Sequence, residues 1–179
     1  LKKYIDKLKL GEENVLWPGK PIYFCKTSGT TSGAKYIPIT KDSMKCHLNP
    51  ARDAILSYIN ETKNTSISSG KMIFLQGSPV LSKTSGILTG RLSGIVAHHI
   101  PYYLKTNRLP SYSTNCIDKW EDKIEAIVEE TKSQKMTLIS GIPPWVQMYF
   151  EKLKEKTNKD IGELFPDFKL FIYGGVNFK

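Results

Sequence analysis

From Ile117 to Tyr173 the sequence changes period repeatedly, and that alternation constrains the fold more than any other feature. Ile117, Trp120, Ile124, Ile127 and Val128 recur on one helical face, with Asp118 expected to cap the helix. A short apolar run over residues 136–140 then reads as a buried strand, residues 145–153 as a second helix and residues 169–173 as another strand. Short strands separated by helices cannot pair as hairpins, so the segment predicts an α/β fold with a mostly parallel sheet flanked by helices. Ligands of such sheets bind beyond the carboxyl ends of the strands. Gly141-Ile142-Pro143-Pro144-Trp145 and Gly174-Gly175-Val176-Asn177-Phe178 stand at those ends.

The first half is more irregular. Leu1, Ile5 and Leu8 are spaced as an amphipathic helix that should stop at Gly11, and Trp17-Pro18-Gly19 reads as a turn. A β segment over 21–26 and another over 36–39 bracket a loop. Thr40 is a candidate cap for a helix with Met44, Leu48, Ala51, Ile55 and Ile59 on one face, which Pro50 should kink or divide. Residues 60–70 are small and polar, as expected of a surface loop, and 72–75 read as a buried strand. The Ser/Thr/Gly-rich stretch 78–94 lacks Walker spacing and is consistent either with a loop before a closely packed helix or with a segment facing a ligand.

Thr27 to Lys35 reads T-S-G-T-T-S-G-A-K, nine residues without a large apolar or acidic side chain. Gly29 and Gly33 allow the backbone to turn N–H groups inward, and Thr27, Ser28, Thr30, Thr31 and Ser32 add hydroxyl donors. Lys35 supplies a compact positive charge at the exit. Only three residues separate the glycines and Tyr36 follows the lysine, so this is not a Walker A loop. The composition suits an anion such as phosphate; a solvated turn is the alternative that the same residues allow.

The chain has 179 residues, of which 40% are hydrophobic, enough for one globular core. Its net charge of +9 raises the possibility of nucleic-acid binding. However, Arg52, Arg91 and Arg108 are the only arginines among 26 basic residues, and the lysines alternate with acids, as on solvated helix faces. A nucleic-acid partner is therefore not expected. Cys25, Cys46 and Cys116 form no regular framework, which favours a reducing, cytoplasmic compartment. No run is long enough for a membrane span, no signal peptide is visible and no membrane partner is expected. The glycosylation patterns at Asn60 and Asn64 have no other sign of secretion beside them. His98-His99 has no second ligand pair at zinc spacing, so no metal site is expected there. Arg91 and Arg108 are read chiefly as salt-linking structural residues.

The run Phe24 to Thr40, F-C-K-T-S-G-T-T-S-G-A-K-Y-I-P-I-T, resembles the first adenylation motif of the auxin-responsive Gretchen Hagen acyl-acid amido synthetases, in a bacterial-type version. That family belongs to the adenylate-forming superfamily of acyl-CoA synthetases and luciferases. Gly90-Arg91-Leu92-Ser93-Gly94, Ala97-His98-His99, Asn107-Arg108-Leu109-Pro110-Ser111, Gly141 to Trp145 and Gly174 to Phe178 resemble further blocks, in family order. The resemblance implies that the chain is a fragment of a large N-terminal domain, lacking later motifs and the C-terminal domain. It implies ATP-dependent activation of a carboxylic acid to an acyl-adenylate, with Mg²⁺, and transfer of the acyl group to an amino acid amine.

On that reading Thr27, Ser28, Gly29, Thr30, Ser32 and Gly33 orient the β- and γ-phosphates, and Lys35 is the counter-charge. Tyr173, Gly174, Gly175, Val176, Asn177 and Phe178 line the adenine. Ile142, Pro143 and Trp145 are acyl-pocket candidates, and Arg91 is placed to meet the acyl carboxylate. The fragment alone is not expected to turn over. A phosphate-binding module without chemistry, and less readily a basic RNA-binding domain, are the rival readings.

Overall fold

A computed structural model describes residues 1–27 and 33–174, leaving aside the side chain of Tyr103. In chain order its elements are α1 (Lys2–Lys9), β1 (Tyr23–Lys26), β2 (Tyr36–Ile39), α2 (Lys41–Thr62), a 3-10 turn at Ser66–Ser69, β3 (Lys71–Phe74), β4 (Ser82–Thr84), β5 (Ile87–Gly90) and α3 (Leu92–Ala97). Then follow α4 (Tyr102–Lys105), β6 (Arg108–Leu109), α5 (Tyr112–Asn115), α6 (Trp120–Thr131), β7 (Met136–Ser140), α7 (Pro143–Thr157), α8 (Ile161–Leu164) and β8 (Leu170–Ile172). The expected single core is not what forms. The chain divides into one compact unit of residues 1–57 and 77–99 and another of residues 58–76 and 100–179.

The first unit is built on a mixed sheet in the order β2-β1-β5-β4. β1 runs antiparallel to β2 and parallel to β5, and β4 runs antiparallel to β5. The β4–β5 hairpin lies where a loop was one of the two expectations. Its two turn residues, Ser85 (φ 46°) and Gly86 (φ 82°), both adopt the left-handed backbone that a tight hairpin demands. Ser-Gly between two short runs was the signal for it. Small apolar clusters hold this unit: Cys25, Ile39, Met44 and Ile95 form one, and Leu8, Phe24 and Ile87 form the other.

Thr40 caps α2 as expected. Its Oγ1 accepts from the Ser43 N–H (3.1 Å) while Ser43 Oγ accepts from the Thr40 N–H (2.9 Å). Pro50 does not divide the helix, which is continuous to Thr62 and so takes over the start of the expected polar loop. Of the expected apolar face only Met44 is buried, and Ala51 is exposed.

The second unit contains the parallel sheet that the helix–strand alternation requires, in the order β6-β3-β7-β8, with every neighbouring pair parallel. One core binds it, formed by Ile73, Leu75 and Ile139 of the sheet region with Ile124, Ile127 and Val128 of α6 and Val146, Tyr149 and Leu153 of α7. Strand β7 and the periodic faces of α6 and α7 fall where the pattern places them. The cap of α6 does not: Lys119, without a side-chain bond, precedes the helix, and Asp118 lies one residue too early.

Candidate functional site

The Ser/Thr/Gly loop is the connection of the β1–β2 hairpin. Pairing of Lys26 with Tyr36 ends the ladder, and one more residue pair closes the neck of the loop. The Thr27 N–H donates to the Lys35 carbonyl (3.0 Å), and the Lys35 N–H donates to Thr27 Oγ1 (3.2 Å). Thr27 Oγ1 thus accepts one bond of the loop's own closure, a structural duty that the sequence did not reveal. Gly33 takes φ +75°, a conformation for which glycine is the natural residue. Lys35 is exposed. Ser28, Gly29, Thr30, Thr31 and Ser32 lie outside the described residues.

The carboxyl ends of the second unit's sheet make a different surface. β3 is followed in the sheet order by β6 on one side, whereas β7 lies on its other side and is followed outward by β8. The strand order therefore reverses between β3 and β7, the position where a crevice opens in sheets of this kind. Gly141 follows β7 there, and a Cβ on it would stand 3.0 Å from Leu75 Cβ and 3.3 Å from Val146 Cγ2, so glycine permits a close approach.

Helix α7 then begins with Pro143 and Pro144 in its first turn. Neither has an N–H to offer, and the N–H groups of Trp145 (3.0 Å) and Val146 (3.2 Å) both donate to the Ile142 carbonyl. This helix start cannot cradle phosphate. It presents Ile142 and Pro143, both half-buried, as an apolar wall. Trp145 packs against Trp120, with ring centres 4.7 Å apart, and against the core. Tyr173 and Gly174 follow β8 and are exposed; Gly175, Val176, Asn177 and Phe178 lie outside the described residues.

Three groups at this end were not singled out as site residues. Lys123 is 3% exposed, and its ammonium donates to the Asn115 carbonyl (2.6 Å) and to the Gln76 carbonyl (3.3 Å) just beyond β3. Asn115 is buried, donates from Nδ2 to the Pro110 carbonyl (3.1 Å) and keeps Oδ1 without a partner among the described residues. The signal for Lys123 was its place on the apolar face of α6, three residues after Trp120. Arg108 is the third. Neither it nor Arg91 forms an ion pair among the described residues, contrary to the salt-linking expectation. Arg91 is exposed at the start of α3, and its Cδ lies 2.7 Å from where a Cβ on Gly77 would stand.

The two histidines turn to different partners. His98 Nε2 lies 2.8 Å from the Pro79 carbonyl, and His99 Nε2 lies 3.0 Å from the Tyr23 hydroxyl. Among the described residues no group of three or more His, Cys, Asp or Glu side chains is arranged to hold a metal ion. None of the described helices is long and apolar enough to cross a membrane.

A hydroxyl-rich hairpin loop closed by lysine and a parallel sheet with an apolar carboxyl end are thus the two candidate parts of the site. The family described as "GH3 family N-terminal domain" matches residues 1–114, and the chain belongs to the GH3 family. Among solved structures, AtGH3.15 acyl acid amido synthetase in complex with 2,4-DB is similar with a TM-score of 0.59 at 19% identity, over 87% of this chain and 28% of that one. A structure titled GH3.15 acyl acid amido synthetase gives 0.63 at 14% identity, over 86% of this chain and 28% of that one. At such identities the likeness is one of fold, and the chain spans 28% of the length of these neighbours. No curated protein matches the sequence.

Proposed function

We propose that this chain is part of the N-terminal adenylation domain of an ATP-dependent ligase that activates a carboxylic acid as its acyl-adenylate and passes the acyl group to an amino acid amine. The observation that carries the reading is the hairpin loop: a closed neck, a hydroxyl- and glycine-rich sequence, and Lys35 exposed at its exit. Family membership supports it, as do the amido synthetases that share the fold.

A carboxylate is already ionised at neutral pH, so no base is needed to make it a nucleophile toward the α-phosphorus. The protein gains most by holding the reactants together and stabilising charge on the departing pyrophosphate. The hairpin loop, Thr27 to Lys35, is the segment assigned to the β- and γ-phosphates, with Lys35 as counter-charge. Residues 14–41 contain no acid. Mg²⁺ would therefore be carried by the phosphates here, which suits its habit of keeping few protein ligands. When bound it would neutralise phosphate charge. Ile142, Pro143 and Trp145 are assigned to the apolar part of the acid, and Tyr173 to Phe178 to the adenine. Three free cysteines fit a cytoplasmic setting.

The test is a pyrophosphate-release screen with the complete protein, ATP and a panel of aliphatic and aromatic carboxylic acids. Acid-dependent release, followed by amide formation once amino acids are added, is expected. ATP binding with no release for any acid would instead establish a nucleotide-binding module without this chemistry.

A further inference from the structure

Arg108 opens β6 and pairs in register with Met72 of β3. Its guanidinium carbon nevertheless lies 4.8 Å from the centre of the Phe74 ring. Met72 and Phe74 share a face of the strand and stand about 6.6 Å apart along it. The arginine stem must therefore run from the level of Met72 toward the level of Phe74, the last residue of β3. Its charge is carried to the carboxyl end of the sheet, beside the point where the strand order reverses.

Phe74 registers with Ser140 of β7, and Ser140 with Ile172 of β8, so these three residues form the last row of the sheet on the arginine's face. Arg108 Nε is buried with no acceptor, and no carboxylate pairs with the side chain among the described residues. Burial lowers its pKa to about 10, which leaves it charged at neutral pH. A desolvated cation with no counter-ion costs folding free energy that an incoming anion would offset. The planar fork of arginine matches two oxygens of a carboxylate or a phosphate, and the neighbouring Phe74 ring attracts the cation.

We propose that Arg108 is an oxyanion-binding residue of the crevice at the carboxyl end of β3, presenting its guanidinium to a carboxylate or phosphate oxygen of a substrate. The proposal rests on the adenylating reading above for the identity of the substrates, not for the geometry.

The decisive experiment measures pyrophosphate release by the complete protein carrying Arg108→Met or Arg108→Lys, with KM determined separately for the acid and for ATP. A rise of roughly 10- to 100-fold in KM for the acid alone supports the proposal with the acyl carboxylate as the anion. The same rise for ATP alone supports it with a phosphate. Both constants within about twofold of the parent in a variant that melts cooperatively would overturn it, and would leave an acid elsewhere in the protein as the partner. Should Arg108→Met fail to fold, the lysine variant decides by the same readout. If the parent protein releases no pyrophosphate with any acid, the adenylating reading fails separately. Calorimetric titration with benzoate and with inorganic pyrophosphate then tests Arg108 directly: binding lost in the lysine variant supports the site, and binding unchanged, or absent from the parent, overturns it.

Discussion

The β1–β2 hairpin loop and the start of α7 both follow a strand and both are rich in small or ring-constrained residues, yet they offer opposite chemistry. The loop sequence is dominated by glycine and hydroxyl side chains, and its neck is tied by two hydrogen bonds between Thr27 and Lys35. At α7 two prolines remove donors, and the Ile142 carbonyl takes the next two N–H groups. On the reading proposed above, the first region is assigned to phosphate, and the second, whose first turn offers no spare N–H group, to an apolar group. Strand ends in α/β proteins are often treated as interchangeable ligand sites. Here the residues just after the strand set how many backbone donors each strand end offers.

Three substitutions would break or sharpen that contrast. The largest effect is expected from Lys35→Ala in the complete protein. Removing the compact charge opposite a departing phosphate should slow pyrophosphate release by roughly 100- to 1,000-fold, and an undiminished rate would take the hairpin out of the chemistry. Ile142→Ala acts on the apolar side. Loss of that wall should raise KM for the acid by about 10-fold while KM for ATP stays within about twofold. Equal rises for both substrates would show that the two regions do not divide the ligand as argued.

The smallest effect concerns the core beneath the apolar wall. Tyr149 of α7 is fully buried, and its hydroxyl shares a 2.8 Å hydrogen bond with Thr131 Oγ1. Thr131 also donates to the Ile127 carbonyl (2.7 Å), so Tyr149→Phe leaves no orphaned group and should cost about 1 kcal/mol at neutral pH. Burial raises the Tyr149 pKa far above its ordinary value of 10.0. The phenol is neutral in both states below that value, so its contribution to stability is intact there. Above it the unfolded chain ionises and the core does not, and stability falls by up to about 1.4 kcal/mol per pH unit. Denaturant titrations from neutral pH to above pH 10 should show a shallower alkaline loss in Tyr149→Phe than in the parent. Parallel curves would mean that the phenol titrates normally.

Much of this was legible from residue order because it rests on local physics. The periods of α6 and α7 and the short apolar run of β7 carry their meaning within a few residues. Thr40 could be read as a cap because its partner is three residues away. The β4–β5 hairpin was open to the same reading from Ser85-Gly86, and it was obscured by Ser/Thr/Gly neighbours that also spell a loop. Arg108 was misjudged for another reason: whether an arginine meets a carboxylate depends on residues far away in the chain, and none of the described ones reaches it.

By itself, then, the sequence determined an α/β fold with a parallel sheet in its second half and the apolar faces of α6 and α7, since each follows from short-range stereochemistry. Tertiary structure alone decided the division into two units, the order β6-β3-β7-β8 and the burial of Lys123 and Asn115. It also decided the course of Arg108 along β3 to Phe74. Those outcomes depend on which distant segments pair and what they desolvate, and no window of neighbouring residues encodes that.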